Sequence, residues 1–567
     1  MFSKRLIVPV LAAVSLVLSG ASANANVEDY KKSNLRLAAV RKLLVPWDRP
    51  GGPGAAVAVT MDGRLVASVA VGTADLEHVA PIQGTTSFHS ASLSKQFTAF
   101  AILLLEQDGK LSIDAPLSDY LGEARIWPAM SLRQLMNHTS GLRDQWTLLG
   151  AAGWRPEDLV TDGQVMQLLF DQRGSNFAPA SAYQYNNSGY SLLAEVVRRV
   201  SGKSLRQYCD ERIFQPLGMT GTHFQDNIKD VVPRRALSYT KSSGRDVRVP
   251  LNYATAGPTG LQTTTEDLSK WAINFESPRV GGPALIARMQ VQGVLTDGTV
   301  NAYALGQERR PYKGFDTWSH GGRDAGYRSF LLRIPAERFS IAVLGNSADV
   351  DTAKIAFAVA DIYLASRPAF RAPPPAIRST PTAAMLDAYA GDYELFPGLI
   401  FTLSTNGQAL YFASLGSSEK TALPSLSATA FQLNARDDLA IEFAPNVDGQ
   451  ATGFQYRIGL HGALPAKRIT LLPFTPESTQ LDGFSGRYYS RELRAEYELS
   501  VEGGRLVARH ARREPISLRP YQKDTFASAE WNFQKLQFQS DTDGKVTGFR
   551  LSGAAAENIL FTRQPDQ

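Results

Sequence analysis

Residues 384–567 carry one pattern twice, at a fixed offset of 95 residues, and this limits the fold more than any other feature. Leu386-Asp387 and Gly391-Asp392-Tyr393 recur as Leu481-Asp482 and Gly486-Arg487-Tyr488. Asp448-Gly449 and Thr452-Gly453-Phe454 recur as Asp543-Gly544 and Thr547-Gly548-Phe549. Leu423 and Phe431 recur as Leu518 and Phe526. Matches at one shared spacing mark two copies of a small domain, 384–475 and 480–567, split near Pro473–Gln480. Stretches such as FTLSTNGQALYFA read as short strands, so each copy suits a small antiparallel barrel or sandwich.

The segment SRPAFRAPPPAIRSTP, residues 366–381, holds five prolines and no apolar period, so 367–383 reads as an extended linker. Before it the chain alternates helical and strand patterns. Residues 54–71 alternate about Asp62-Gly63, a hairpin signature. From Ser90 to Gln107, Leu93, Phe97, Phe100 and Leu104 share a helical face. Residues 186–208 read as a second helix closing on Ser201-Gly202, 327–334 and 339–344 as strands, and 351–365 as a last helix. At the start, Lys4 and Arg5 precede a thirteen-residue apolar run, Leu6 to Leu18, and the small-residue sites Ala21-Ser22-Ala23 and Ala23-Asn24-Ala25. Residues 1–23 therefore read as a cleaved secretory signal, with an uncleaved anchor as the alternative, and the expected location is periplasmic or secreted.

Composition matters where it excludes. Of 567 residues, 44% are hydrophobic and 20% charged, values of soluble globular protein. Removing residues 1–23 takes Lys4 and Arg5 from the 59 basic residues and leaves a net +3 against 54 acidic ones, no footprint for nucleic acid. Cys209 is the single cysteine, so no intrachain disulfide forms and thiolate clusters are excluded; it reads as a core residue. The seven histidines are scattered and no H-E-x-x-H occurs, so no metal and no cofactor are expected. Gly202-Lys203-Ser204 lacks the glycine a phosphate loop requires at Val197, and there is no G-x-S-x-G elbow.

Ser-x-x-Lys occurs three times, at Ser92/Lys95, Ser238/Lys241 and Ser417/Lys420. Only the first opens a strong helical pattern, which puts hydroxyl and ammonium on one face at the positive end of the helix dipole. A serine hydroxyl is a poor nucleophile without a base, and a buried lysine can lose its proton and act as one. Tyr185-Asn186-Asn187 begins the second helix, and His320-Gly321-Gly322 precedes a strand pair.

In order and spacing this set resembles the penicillin-recognising serine hydrolases, which include class C β-lactamases, D-alanyl-D-alanine carboxypeptidases, D-aminopeptidases and related esterases. The resemblance runs from Pro53 to Leu364 and extends to LRQLMNHTSGL (132–142), YNNSGYSLLAEVVRRVSGKS (185–204), QPLGMTGT (215–222) and GPTGLQTTTEDLSKW (257–271). It implies an α+β fold: a β-lactamase/transpeptidase-like catalytic domain over 27–366, an antiparallel sheet flanked by helices, then two small lipocalin-like antiparallel β-barrels. It implies Ser92 as acylated nucleophile, Lys95 as its base or tuning neighbour, and Tyr185 as proton carrier, with the first base left open between the last two. Asn187 is expected on the substrate and Lys95, with His320 where many members carry a lysine. Gly321 and Gly322 are expected to let substrate lie along the strand, and the main-chain N–H groups of Ser92 and Arg323 to form the oxyanion hole. Imidazole is mostly neutral at pH 7, which weakens a reading built on gripping a carboxylate. His89 and His138 read as structural.

A catalytic domain followed by two barrels resembles D-aminopeptidases, in which a loop of the last barrel reaches the cleft and offers an acid to a free amine. The expected activity is acyl-enzyme hydrolysis of short peptides or amides, D-stereospecific at the amino end. The alternatives are an esterase, a β-lactamase or D,D-carboxypeptidase-like enzyme, and a non-catalytic cell-wall sensor. The expected partner is a small-molecule or short-peptide substrate, with no nucleic acid and no stable membrane insertion; oligomeric state is left open.

Overall fold

The structure is a computed structural model that describes residues 20–371, 380–415, 417, 419–433, 439–444, 449–458, 463–472 and 474–565, with the side chains of the first helix from residue 32 onward. Most of the expected signal, residues 1–19, and the linker prolines at 373–375 lie outside these. Helix α1 (Gly20–Leu44) leads into the hairpin β1 (Ala55–Met61) and β2 (Arg64–Val71). Then come helices α2 (Ser94–Gln107), α3 (Ser188–Ser201) and α4 (Thr265–Glu276). The rest of the sheet follows as β3 (Glu308–Tyr312), β4 (Phe315–Asp324), β5 (Tyr327–Ile334) and β6 (Phe339–Gly345), closed by helix α5 (Thr352–Leu364). All neighbours are antiparallel, in the order β3-β4-β5-β6-β1-β2.

The sheet is buried on both faces, and the two-residue period of its strands sorts the side chains. Val57, Val59, Ile341 and Val343 pack under α1 and α5 with Val40, Ile355 and Val359. Ala56, Leu331, Ala342 and Leu344 face the helical side with Phe97, Leu193 and Trp271. Helix α2 is buried from Ser94 to Leu105 on every side, which the one-faced pattern of its sequence does not convey. No helix among the described residues is long and apolar enough to cross a membrane.

Two expected boundaries move. The second helix is two helices: α3 stops against Gly202 in the left-handed conformation, φ +73°, and Ser204 with Gln207 forms a capping box that starts a new turn at Leu205. At Ser92, Ala91–Leu93 is a single 3₁₀ turn and the α-helix proper begins at Ser94.

The repeats share their contacts as well as their pattern. Each is an eight-stranded antiparallel unit; that of Gly486–Arg563 closes into a barrel, while in that of Gly391–Ile469 the end strands meet through a Ser425–Phe431 bridge. Tyr393 Oη donates to Tyr389 O at 2.8 Å and Tyr488 Oη to Phe484 O at 2.8 Å. Arg468 Nη1 donates to Ala388 O at 3.0 Å and Arg563 Nη1 to Gly483 O at 3.1 Å. Leu423 and Phe431 are core residues of one, Leu518 and Phe526 of the other.

The second barrel is fused to the catalytic domain through one continuous apolar core. Arg143 and Glu492 pair across the junction at 2.6 Å, their side chains only 3% and 13% exposed. Tyr497 Oη donates to Ala151 O at 3.0 Å and Arg513 Nη1 to Gly150 O at 2.8 Å. Gly150 has to be glycine: a Cβ there would stand 1.8 Å from Asn532 Nδ2.

Candidate active site

The nucleophile turn is clamped from two sides. Ser90 N donates to Leu261 O at 2.8 Å, and Ser94 Oγ accepts from Leu261 N at 3.1 Å. From the sheet, Ser329 Oγ donates to Ser90 O at 2.6 Å. Between these anchors Ala91 is held at φ +50°, an unfavourable value for a residue with a side chain. The strain is the cost of projecting Ser92 from the turn into the cleft instead of burying it in α2.

Lys95 is fully buried one turn along. Its Nζ lies 3.1 Å from Ser92 Oγ, 2.9 Å from Asn187 Oδ1 and 2.9 Å from Pro258 O, with the Tyr185 ring 4.7 Å away. Two of the three partners are pure acceptors. A neutral amine has two N–H donors and one lone pair, so the carbonyls take the donors and the lone pair is left for the Ser92 hydroxyl. Burial pushes Lys95 down to about 7, against the opposing pull of Asp144 and Asp324. A large fraction is therefore neutral near physiological pH.

Asn187 stands at the N-terminus of α3 without capping it, because its amide is engaged elsewhere. Its Oδ1 accepts from Lys95, while its N and Nδ2 donate to Asp144 Oδ2 at 2.7 and 2.9 Å. Burial pushes the Asp144 carboxyl up, against the Asn187 and Trp146 hydrogen bonds that favour its ionised form. Asp144 N in turn donates to Ala555 O of the second barrel at 2.8 Å.

Burial drives the Tyr185 phenol well above the ordinary value, against the opposing influence of Ser92, so it stays protonated. His320 is held at both ring nitrogens: Nδ1 lies 2.6 Å from Gly321 O, and Nε2 2.8 Å from the buried Tyr303 hydroxyl. A carbonyl only accepts, so Nδ1 carries a proton, and the neutral ring takes the Tyr303 hydroxyl hydrogen at Nε2. His138 Nδ1 accepts from Asn186 N at 3.1 Å, and its ring packs 4.3 Å from Tyr185 and 4.4 Å from Tyr303, a buttress behind the site.

Strand β3 pairs with β4 only as far as Ser319, so the outer edge of β4 faces the cleft from His320 to Asp324. Ser92, Tyr185, Asn187, His320, Gly321 and Arg323 all line it. Lys95 stands behind Ser92. Gly322 departs from expectation: it is buried, and a Cβ on it would meet Ser90 O and Ser329 Oγ at 2.3 Å, so it lets the strand pack on the nucleophile turn rather than making room for substrate. The cleft, about 960 Å³, is also walled by both repeats: Leu395–Pro397 and Ala463–Pro465 from the first, Ala554, Ala555 and Glu557 from the second. The other two Ser-x-x-Lys pairs are apart from it: Ser238 donates to Val249 O, Lys241 pairs with Asp246, and Ser417 is exposed.

Sequence reasoning missed Asp144, Tyr303 and Asp324. Asp144 lies two residues past the quoted LRQLMNHTSGL stretch and Asp324 follows Arg323, so both stood beside recognised motifs; Tyr303 carried no signal.

A profile of the Beta-lactamase family matches residues 39–364, more than half of the chain. A D-aminopeptidase of Brucella anthropi is 27% identical over 534 residues, covering 90% of this chain and 95% of its own. A D-aminopeptidase of Gluconobacter oxydans is 29% identical over 308 residues, 54% of this chain and 58% of its own. The octameric penicillin-binding protein homologue of Pyrococcus abyssi superposes with a TM-score of 0.52 at 21% identity, over 79% of this chain and 100% of its own. The D-amino acid amidase of Ochrobactrum anthropi SV3, in complex with D-phenylalanine, does so at 0.50 and 20%, over 59% and 100%. These structural likenesses speak for the fold, while the profile and the nucleophile turn, with its lysine one helical turn on, establish that the chain belongs to the beta-lactamase family.

Proposed function

We propose that this protein is a serine aminopeptidase that releases an N-terminal D-residue from short peptides or amides through an acyl-enzyme on Ser92, acting in the periplasm or outside the cell. The observation that carries the chemistry is the environment of Lys95: burial and two carbonyl acceptors leave a neutral amine with its lone pair toward Ser92 Oγ, 3.1 Å away. Lys95 takes the Ser92 proton as Oγ attacks the carbonyl carbon. The resulting oxyanion is received by the main-chain N–H groups of Ser92 and Arg323. Tyr185, kept as a phenol, hands a proton to the departing amine and is reprotonated through Ser92 Oγ's former proton on Lys95. Water then attacks the ester with Lys95 again as base, and Ser92 is regenerated. A positioned base contributes about 10²–10⁴-fold and one oxyanion donor about 10²–10³-fold.

The D-aminopeptidase reading draws on the two relatives named above and on the architecture, in which both repeats wall the cleft and restrict it to short substrates. His320, engaged at both ring nitrogens, suits a substrate without a carboxylate at that point. The test compares D-alanine p-nitroanilide, p-nitrophenyl butyrate and nitrocefin with wild type and Ser92→Ala. The expected result is turnover of the anilide, abolished in the variant. Turnover of nitrocefin alone rejects the aminopeptidase reading, and full activity of Ser92→Ala rejects the mechanism.

A further inference from the structure

An aminopeptidase has to recognise a protonated α-amine next to the attacked carbonyl, and three acids line the cleft: Glu308, already paired with Arg310 at 2.8 Å, and Asp324 and Glu557, which have different settings. Along β4, side chains alternate between faces, so His320, Gly322 and Asp324 share one face at about 3.3 Å per residue. The Cβ direction of Gly322 runs into Ser90 O and Ala91, so this face is the one turned to the nucleophile turn. Asp324 thus stands one residue beyond Arg323, whose N–H the proposed mechanism uses, and on the same face as His320.

Its carboxylate is built in place. His89 Nε2 lies 2.9 Å from Asp324 Oδ2, and Thr259 Oγ1 donates to the same oxygen at 2.8 Å. Both bonds fall on Oδ2, which leaves Oδ1 with acceptor capacity for a ligand. The Asp324 side chain is 21% exposed, so it is anchored at its back and reachable from the cleft. The buried Tyr253 hydroxyl beside Asp324 and Thr259 adds a polar wall. Burial alone would push Asp324 up; the His89 bond and charge, with those of Tyr253 and Thr259, hold it below the ordinary carboxylate value instead. Glu557 is the opposite case, pushed up by burial and by the charge of Glu394 despite the nearby cations Lys535, Arg143 and Lys467. The surroundings favour the charged form of Asp324 and disfavour that of Glu557.

We infer that Asp324, oriented by His89 and Thr259, receives the substrate's α-ammonium and makes a free amino terminus a requirement for turnover. The assignment rests on the aminopeptidase reading above. The experiment measures kcat/KM for D-alanine p-nitroanilide and for p-nitrophenyl butyrate, which lacks an amine, in wild type, Asp324→Asn and Glu557→Gln. The ratio of amine to ester substrate is expected to fall about 10²-fold in Asp324→Asn, the loss of a charge-assisted hydrogen bond in a cleft of low dielectric. Thr259→Val, which removes one bond to Oδ2, is expected to lower the same ratio less and serves if Asp324→Asn does not fold, as judged by fluorophosphonate labelling of Ser92. Equal loss on both substrates, an unmoved ratio, or a fall confined to Glu557→Gln would overturn the assignment. A wild type that turns over the ester and not the anilide would instead overturn the aminopeptidase reading.

Discussion

The two repeats have one pattern and two fates. Both keep the Tyr-to-carbonyl and Arg-to-carbonyl contacts at equivalent places, yet only the second shares its core with the catalytic domain. The first has its own core and meets the second through a small patch of Ile400, Tyr521 and Ala527. The second carries the buried Arg143–Glu492 pair and the Ala555 carbonyl that receives Asp144 N, one step from Asn187 and two from Lys95. A duplicated barrel can thus serve once as a wall of the cleft and once as part of the support for its base.

Breaking the buried junction has the largest expected effect. Arg143→Ala strands Glu492 without its partner and should cost about 3–5 kcal/mol in urea unfolding, with activity lost in parallel. Asp144→Asn strikes the link from junction to base. Loosening the Asn187 amide should lower kcat by about 10²-fold, the scale of a misplaced catalytic group. It also removes an anion that raises Lys95, so the midpoint of the pH–rate profile should move below the wild-type value of about 7. Lys95 acts as a base in its neutral form, so the rate rises with pH through that midpoint and falls on the acid side. Tyr497→Phe deletes one bond across the same junction and should cost about 1 kcal/mol. In the first repeat, Arg457→Ala removes an exposed pair with Glu442 and should change stability by less than about 0.5 kcal/mol. If Arg457→Ala destabilised the protein as much as Arg143→Ala, the contrast between the repeats would collapse.

What could be read in the sequence follows the range of the interaction. Ser92, Lys95, Tyr185, Asn187 and His320 were legible because they stand in local motifs whose order and spacing resemble a known family, and the structure brings all five together. The repeat was legible because each copy folds on its own local pattern. The docking of the second copy was not, since Arg143 and Glu492 are 349 residues apart and no local pattern links them. Asp144 and Asp324 escaped for a related reason: a carboxylate's role is set by what lies across the fold, Asn187 for one and His89 with Thr259 for the other. Gly322 was read as room for substrate, whereas it makes room for the Ser92 turn, because only the packed strand shows which neighbour occupies the space.

The central claim is that a neutral Lys95 activates Ser92. The direct measurement is the rate of covalent labelling by a fluorophosphonate as a function of pH, with the adduct located by peptide mass spectrometry. The expected result is an adduct on Ser92, formed at a rate that rises through about pH 7 and is lost in Lys95→Ala. A pH-independent rate on Ser92, or an adduct at Ser238 or Ser417 instead, would contradict it.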